Sequence, residues 1–340
     1  MRGWRLQDLD LTAYDEALGR LDPAGAVLLG CRLSTKAEAS LRERGALLFP
    51  GVPDVPFDSY RTRLYTPDEL YAGLEDGYDH TLDARVYAWS RTARATGDVA
   101  HTLARALHDH SIDDALEEYV AGKRLVGVMG GHGLRRGTTG YTAAARLGRE
   151  LAATGVVVAT GGGPGAMEAA NLGARLGPLD PDVLDEALDR LATAPDVDGV
   201  TRWADAARGA LDDLPDVEVD TLGIPTWFYG HEPPNLFATS IAKLFGNAVR
   251  EDVLLHVCTA GTVFLPGAAG TVQEVFQDAC ENYYAPEGAR APMVLVDRRY
   301  WTERLPAWAL LQRLAADAGF EDDVHLVDDP DEAVELLSRP

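Results

Sequence analysis

Residues 261–279, GTVFLPGAAGTVQEVFQDA, place a carboxylate one helical turn beyond a small-residue turn. The apolar run Val263, Phe264, Leu265 stops at Pro266. Gly267, Ala268, Ala269 and Gly270 follow, and Glu274 lies in the helical pattern after them. Such a turn presents main-chain N–H groups that no helical carbonyl reaches, at the positive end of the helix dipole, and it suits an anion. Glycine lets that anion approach without a Cβ in the way. A carboxylate beside the cradle is there for something other than the anion. It can stabilise developing positive charge or orient and deprotonate a water. The plain alternative is a first-turn glutamate that only favours the dipole.

Two more strands run into glycine turns that open helices. One turn spans Gly130 to Gly140 and holds Gly131, His132, Arg135 and Arg136. The other holds Gly161, Gly162, Gly163 and Gly165. One such turn is weak evidence, because packing alone asks for glycine there. Three in one sheet aim their helices at a common edge and point to a ligand. GGGPGA (161–166) has the form of a dinucleotide fingerprint, but the acid expected about 20 residues on would be Asp180, in the turn GPLDPD rather than at a strand end. GHGLRRG (131–137) misses the fingerprint by one position. A nicotinamide or flavin cofactor is therefore not expected. His132 could touch phosphate or base, or be a loop histidine without a role. Arg135 and Arg136 could close over a ligand, or be exposed loop arginines. FYGHEPPN (228–235) ends a strand with His231 and Glu232 and shapes a base pocket or is only a proline-terminated turn. HDH (108–110) lacks a third partner at metal spacing and reads as helix surface, so no metal is expected. No Ser–His–Asp elbow, P-loop or zinc motif is present.

The elements that must hold these turns read as a doubly wound α/β fold: a mainly parallel, Rossmann-like sheet with helices on both faces and an N-terminal α/β extension. Continuous apolar strands rather than alternating ones argue for a parallel sheet covered on both sides. Residues 124–129, 156–160, 221–231, 261–266, 291–297 and 323–328 read as its strands. Units about 32 residues apart have βαβ spacing. Gly155 marks the end of the helix 141–155, and 233–258 reads as a helix or a bent pair. Residues 1–120 form the extension, with strands at 26–31 and 46–50, helical patterns at 83–110 and 110–120, and Ser111 as a candidate N-cap. Residues 121–340 form the nucleotide-binding domain, in which the acidic stretch 178–220 is a helical insertion.

The chain has 340 residues and a net charge of −23. That balance excludes a nucleic-acid partner, which needs basic surface, and leaves anion binding to local amides and a few arginines. The three lysines, Lys36, Lys123 and Lys243, fall outside any loop suited to a Schiff base or P-loop. Three cysteines without CxxC spacing, Cys31, Cys258 and Cys280, suggest reduced buried thiols. No apolar run is long enough to span a membrane, and the N-terminus is too polar for a signal peptide. A cytoplasmic protein is expected.

PGAAGTVQE (266–274) resembles the P-G-G-x-G-T-x-x-E signature of the LONELY GUY (LOG) family, once mislabelled lysine decarboxylases. Pro266, Gly267, Gly270, Thr271 and Glu274 match, and Ala268 replaces the second glycine. GGGPGAMEAANLGA (161–174) resembles the family's other glycine turn. The resemblance covers about 124–300. The N-terminal extension makes the chain more similar to the larger bacterial nucleotide 5′-monophosphate nucleosidases than to the short plant-type members. It implies hydrolysis of the N-glycosidic bond of a nucleoside 5′-monophosphate to free base and ribose 5-phosphate, without metal or organic cofactor. Breaking that bond develops an oxocarbenium-like cation, the charge a carboxylate at Glu274 would face. The family also uses an arginine about fifteen residues before the motif proline. Arg250, sixteen before, is its counterpart and would contact phosphate or leaving base, with Asn247 on the same helix face. A solvated arginine paired with Glu251 or Asp252 would look the same in sequence. Met167 and Glu168 correspond to the region lining the nucleotide site, and a homodimer or higher oligomer is implied. A non-catalytic nucleotide sensor is the second reading, because a β-carbon at 268 could block close phosphate approach. A dinucleotide-dependent oxidoreductase is the third.

Overall fold

The computed structural model describes residues 1–338 except Asp213, Asp216, Val217, Tyr229, Gly230, His231 and Glu287. The chain forms two compact units, 1–64 with 85–116 and 65–84 with 117 onward. Residues 65–84, read from sequence as part of the N-terminal extension, group with the larger unit.

In the smaller unit β1 (Arg5–Gln7), β2 (Val27–Leu29) and β3 (Leu47–Phe49) form a parallel sheet in that order. They are linked by α1 (Asp15–Arg20) and α2 (Thr35–Glu43). Ser34 caps α2 by accepting from the Ala37 amide at 3.1 Å. Leu18, Ala26, Leu28, Ala37 and Leu41 make the core between sheet and helices. β1 has no apolar pattern to announce it; its register with β2, Arg5 opposite Val27, is set by main-chain pairing. After α3 (Pro67–Leu70), which belongs to the larger unit, come α4 (Leu82–Thr96) and α5 (Val99–Val120). The helical pattern at 83–110 is thus broken. Gly97, at φ +64°, ends α4, and Asp98 accepts the Ala100 amide at the start of α5. Two expectations fail here. Ser111 is no N-cap: it lies inside α5, buried, and its hydroxyl donates to the Ser59 carbonyl. His108 is no surface residue: it packs fully buried on Phe57, and burial pushes its pKa down.

The larger unit holds seven parallel strands. In chain order they are β4 (Leu125–Met129), β5 (Val157–Thr160), β6 (Thr221–Gly223), β7 (Ser240–Ile241), β8 (Thr262–Phe264), β9 (Met293–Val296) and β10 (Val324–Val327). Their order in the sheet is β10-β9-β8-β4-β5-β6-β7. From β4 the chain builds outward to β7, then returns to place β8 on the other side of β4 and continues to β10. The switch point lies between β4 and β8, so loops leaving their carboxyl ends diverge and open a crevice. Crossovers are α6 (Thr139–Ala153), α7 (Ala166–Arg175), α8 (Pro181–Ala192), α9 (Val200–Gly209), α10 (Asn247–His256), α11 (Ala269–Tyr284) and α12 (Trp308–Ala318), with α13 (Pro330–Leu337) at the end.

Small residues decide how closely α6 and α7 approach. A Cβ at Gly148 would come 2.1 Å from the Ala170 carbonyl oxygen, and one at Gly173 would come 1.7 Å from that of Ala145. Residues 178–220 do form helices, and Asp180, the residue at fingerprint distance, caps α8 by accepting the Asp182 amide. The stretch 233–258 is not one helix. Asn235 takes the Phe237 and Ala238 amides on its side chain, which diverts the backbone into β7 before α10 begins. Segment 65–84 is joined to this unit by Asp83, which is fully buried and receives Lys243 Nζ at 2.6 Å and Trp227 Nε1 at 2.7 Å. Cys258 is buried, whereas Cys280 is exposed and Cys31 partly so, contrary to the expectation of buried thiols. Among the described residues no helix is long and apolar enough to cross a membrane.

Candidate active site

The three glycine turns lie together at the carboxyl ends of β4, β5 and β8. Gly131 N–H donates to the Pro266 carbonyl at 3.1 Å, and Ala166 N–H donates to the Gly131 carbonyl at 3.2 Å. The first turn therefore joins the third on one side and the second on the other. No room exists for a side chain at the join. A Cβ at Gly130 would meet Ala166 at 2.7 Å, and one at Gly165 would meet the Gly131 carbonyl oxygen at 2.4 Å; Gly165 also has φ +78°.

The turns differ in what they leave available. Gly161, Gly162, Gly163 and Gly165 are buried. Gly162 N–H is held by the Thr160 hydroxyl, and the Gly162 carbonyl accepts from the Asn235 amide at 2.8 Å. Met167 packs beneath: a Cβ at Gly161 would lie 2.8 Å from its sulfur. This turn is a locked floor. The third turn is open. Ala268, Ala269 and Gly270 are exposed, no side chain caps α11, and its first helical bond runs from Val272 N–H to the Ala268 carbonyl. Thr271 is buried, with its hydroxyl against Gly267. The Tyr300 hydroxyl donates to the Gly267 carbonyl and fixes that peptide plane.

Glu274 and Arg250 meet. Glu274 is 6% exposed, and its Oε1 lies 3.4 Å from Arg250 Nη1. The same nitrogen faces the second turn, 3.4 Å from where a Gly161 Cβ would be. Arg250 Nη2 pairs with Glu251 Oε1 at 3.1 Å, and Asn247 Nδ2 donates to that oxygen at 3.4 Å. Arg250 thus pairs with Glu251, its neighbour on the helix, but Glu251 is buried and the Arg250 side chain is only 11% exposed. Burial pushes the Glu274 carboxyl up to about 8; the Glu251 charge adds to this and Arg250 opposes it. Asn247 Oδ1, Arg250 Nε and Glu251 Oε2 are buried without a hydrogen-bond partner. Several polar atoms of this cluster thus have no partner among the described residues.

Other candidates go elsewhere. Glu168 is turned away from Arg250 and Glu274 and is fully buried in a two-point pair with Arg136, Nε to Oε2 at 3.1 Å and Nη2 to Oε1. Arg136, expected in an exposed loop, is buried beneath Trp203, 4.7 Å from the ring centroid. Arg135 is exposed and pairs with Asp196 at 2.8 Å. A cleft of about 150 Å³ lies beside this pair, lined by His132, Arg135, Gly165 and Trp203 among others. His132 is exposed, 3.5 Å from Glu232 Oε1. Glu232 Oε2 would lie 3.5 Å from a Gly163 Cβ, at the front of the second turn. His231 lies outside the described residues.

Three residues escaped the sequence reading. Glu251 was visible only as a neutralising partner for Arg250. Asp278 follows Glu274 by four residues on the buried face of α11, a spacing that could have flagged it; burial, then the Glu281 charge, pushes its carboxyl up to about 8. Tyr300 lies in a turn of π-helix, Tyr300–Arg304, 33 residues from the carbonyl it holds, and no local signal marks it.

Residues 123–177, from the start of β4 through α7, match the SLOG cluster4 family, and this stretch is LOG-like Rossmann sequence. Among solved structures, the molybdenum cofactor binding protein of the phototrophic bacterium Rippkaea orientalis is similar at 21% identity and a TM-score of 0.38, over 63% of this chain and 95% of that one. The molybdenum cofactor carrier protein of Chlamydomonas reinhardtii is similar at 18% identity and a TM-score of 0.38, over 63% and 96%. No curated protein matches.

Proposed function

We propose that the larger unit binds a nucleoside 5′-monophosphate and hydrolyses its N-glycosidic bond. The observation that carries this reading is the placement of Glu274 one turn beyond the open, uncapped end of α11, held by Arg250 against the floor of the second turn. Amides of Ala269, Gly270 and Thr271 would receive the 5′-phosphate. A nucleotide seated there brings its ribose toward Glu274, whose carboxylate would face the cation developing at C1′ and take a proton from the attacking water. Arg250 would steer Glu274 and meet the phosphate or the departing base. The chain would act as a homodimer or larger oligomer, which light scattering of the purified protein decides.

Binding without hydrolysis is the second reading. Ala268 at the cradle and a Glu274 carboxyl pushed up to about 8 favour it, since a protonated acid neither stabilises a cation nor accepts from water. Incubating wild type and Glu274→Gln with a panel of nucleoside monophosphates separates the two. Free base from wild type, falling by about 10²–10⁴-fold in Glu274→Gln, supports the hydrolase. Binding by both without turnover supports the sensor. Binding by neither ends the nucleotide reading. For the hydrolase, the rate should rise with pH through about 8, as Glu274 loses its proton.

A further inference from the structure

Arg250 has one positive charge, and two buried carboxylates share it. Glu251 Oε1 lies 3.1 Å from Nη2 and Glu274 Oε1 lies 3.4 Å from Nη1. The two acids are 3% and 6% exposed, and among the described residues neither is paired with another basic side chain. With both acids ionised, the trio would hold an uncompensated negative charge away from water, which is costly. A proton on Glu274 removes it. Among the described residues no donor reaches the buried Oε2 of Glu251, and Glu251 acts on Glu274 directly, through its charge and a side-chain hydrogen bond.

The remaining surroundings do not change this count. From α10, Arg250 and Glu251 act on Glu274, and the Asn247 amide donates to Glu251. From the second turn, the uncharged Gly161 faces Arg250 Nη1, and Met167 packs on that glycine. On its own helix, Asp278 is one turn away and interacts with Glu281 instead.

We infer that Glu251 is a positioning residue of the site: through its own charge and their common partner Arg250 it makes Glu274 hold a proton in the resting protein and so sets the pH at which Glu274 becomes a working carboxylate. The inference rests on the hydrolase reading for its meaning in catalysis, but the protonation of Glu274 itself does not need a substrate. Replacing Glu251 by an uncharged residue leaves Arg250 to Glu274 alone, which favours the ionised form of Glu274.

The test uses the full chain with ¹³C-labelled glutamate carboxyls, titrated by NMR without ligand, the Glu274 signal being assigned by its loss in Glu274→Gln. In Glu251→Gln the Glu274 midpoint should fall by one pH unit or more. In Glu251→Asp, which keeps the charge on a shorter arm, it should stay between the two. A Glu274 midpoint unmoved by Glu251→Gln, or one already in the ordinary carboxylate range in wild type, overturns the inference. If Glu251→Gln does not fold, a Glu274 midpoint in folded Glu251→Asp equal to that of wild type has the same force. The second arm is the pH profile of kcat/KM on a hydrolysed monophosphate. Its rising limb should move to lower pH by the same interval, a shift that a merely structural role for Glu251 would not produce. Turnover with unmoved midpoints defeats this inference alone; absence of turnover with shifted midpoints defeats the hydrolase reading alone.

Discussion

Two arginines of the larger unit, each paired with a buried glutamate, end in opposite situations. Arg136 meets one carboxylate, Glu168, at two points, and its Nη1 also donates to the Ala194 and Trp203 carbonyls. Arg250 meets two carboxylates, and its Nε has no partner at all. Both glutamates are buried and lie in helices that follow glycine turns, although the sequence motif singles out Glu274 and leaves Glu168 the weaker candidate. The difference is stoichiometry. One acid for one base with every guanidinium nitrogen bonded is a closed structural joint, between the first turn and the α8–α9 region. Two acids for one base with polar atoms left over is an unbalanced cluster, in which one charge stays uncompensated.

The contrast can be broken most forcefully at Glu168. Glu168→Gln leaves Arg136 buried without its counter-ion and should cost about 3–5 kcal/mol in urea unfolding. Replacing both partners by apolar residues, Arg136→Met with Glu168→Leu, should recover most of that loss. If Glu168→Gln unfolds no more easily than wild type, the joint is not structural. Glu274→Gln should behave in the opposite way. The folded-state pKa of Glu274, about 8, lies above its ordinary 4.5, so the stability it contributes is present below 4.5 and lost as pH rises to 8. The variant should therefore gain on wild type across that window, by at most about 1.4 kcal/mol per pH unit. Melting curves at pH 5, 7 and 9 read this directly, and a constant difference would contradict the assigned protonation. The smallest effect is expected at Arg135, whose pair with Asp196 is exposed. Arg135→Ala should change stability by less than about 1 kcal/mol. A larger loss would mean that the loop, not the buried pair beside it, holds the first turn.

How much of this was legible can be judged from particular residues. The parallel strands β4, β5, β8, β9 and β10 were read within a few positions, because a strand covered on both faces must be apolar throughout. The strands β1 and β7 were not. Each is only two or three residues long and depends on main-chain pairing with a neighbour distant in sequence. Of the helix or bent pair expected over 233–258 only α10 forms, because the Asn235 side chain takes the amides that would have begun an earlier helix. Glu274 and Arg250 were named from motif and spacing, whereas Glu251 was named only as a possible neutraliser, since a sequence does not say whether an ion pair is wet.

The chain's order of residues determined the elements and where their turns fall: apolar runs, then glycines, then helices, repeated along the chain. It also determined that an acid would lie one helical turn past the third turn. Tertiary structure decided the rest. The strand order that places β8 beside β4 brings α10 and α11 together, and only that contact puts two glutamates on one guanidinium. Burial then decides their protonation, because the cost of an unpaired charge depends on the water around it, and water is excluded by the packing of segments that no local stretch of sequence contains.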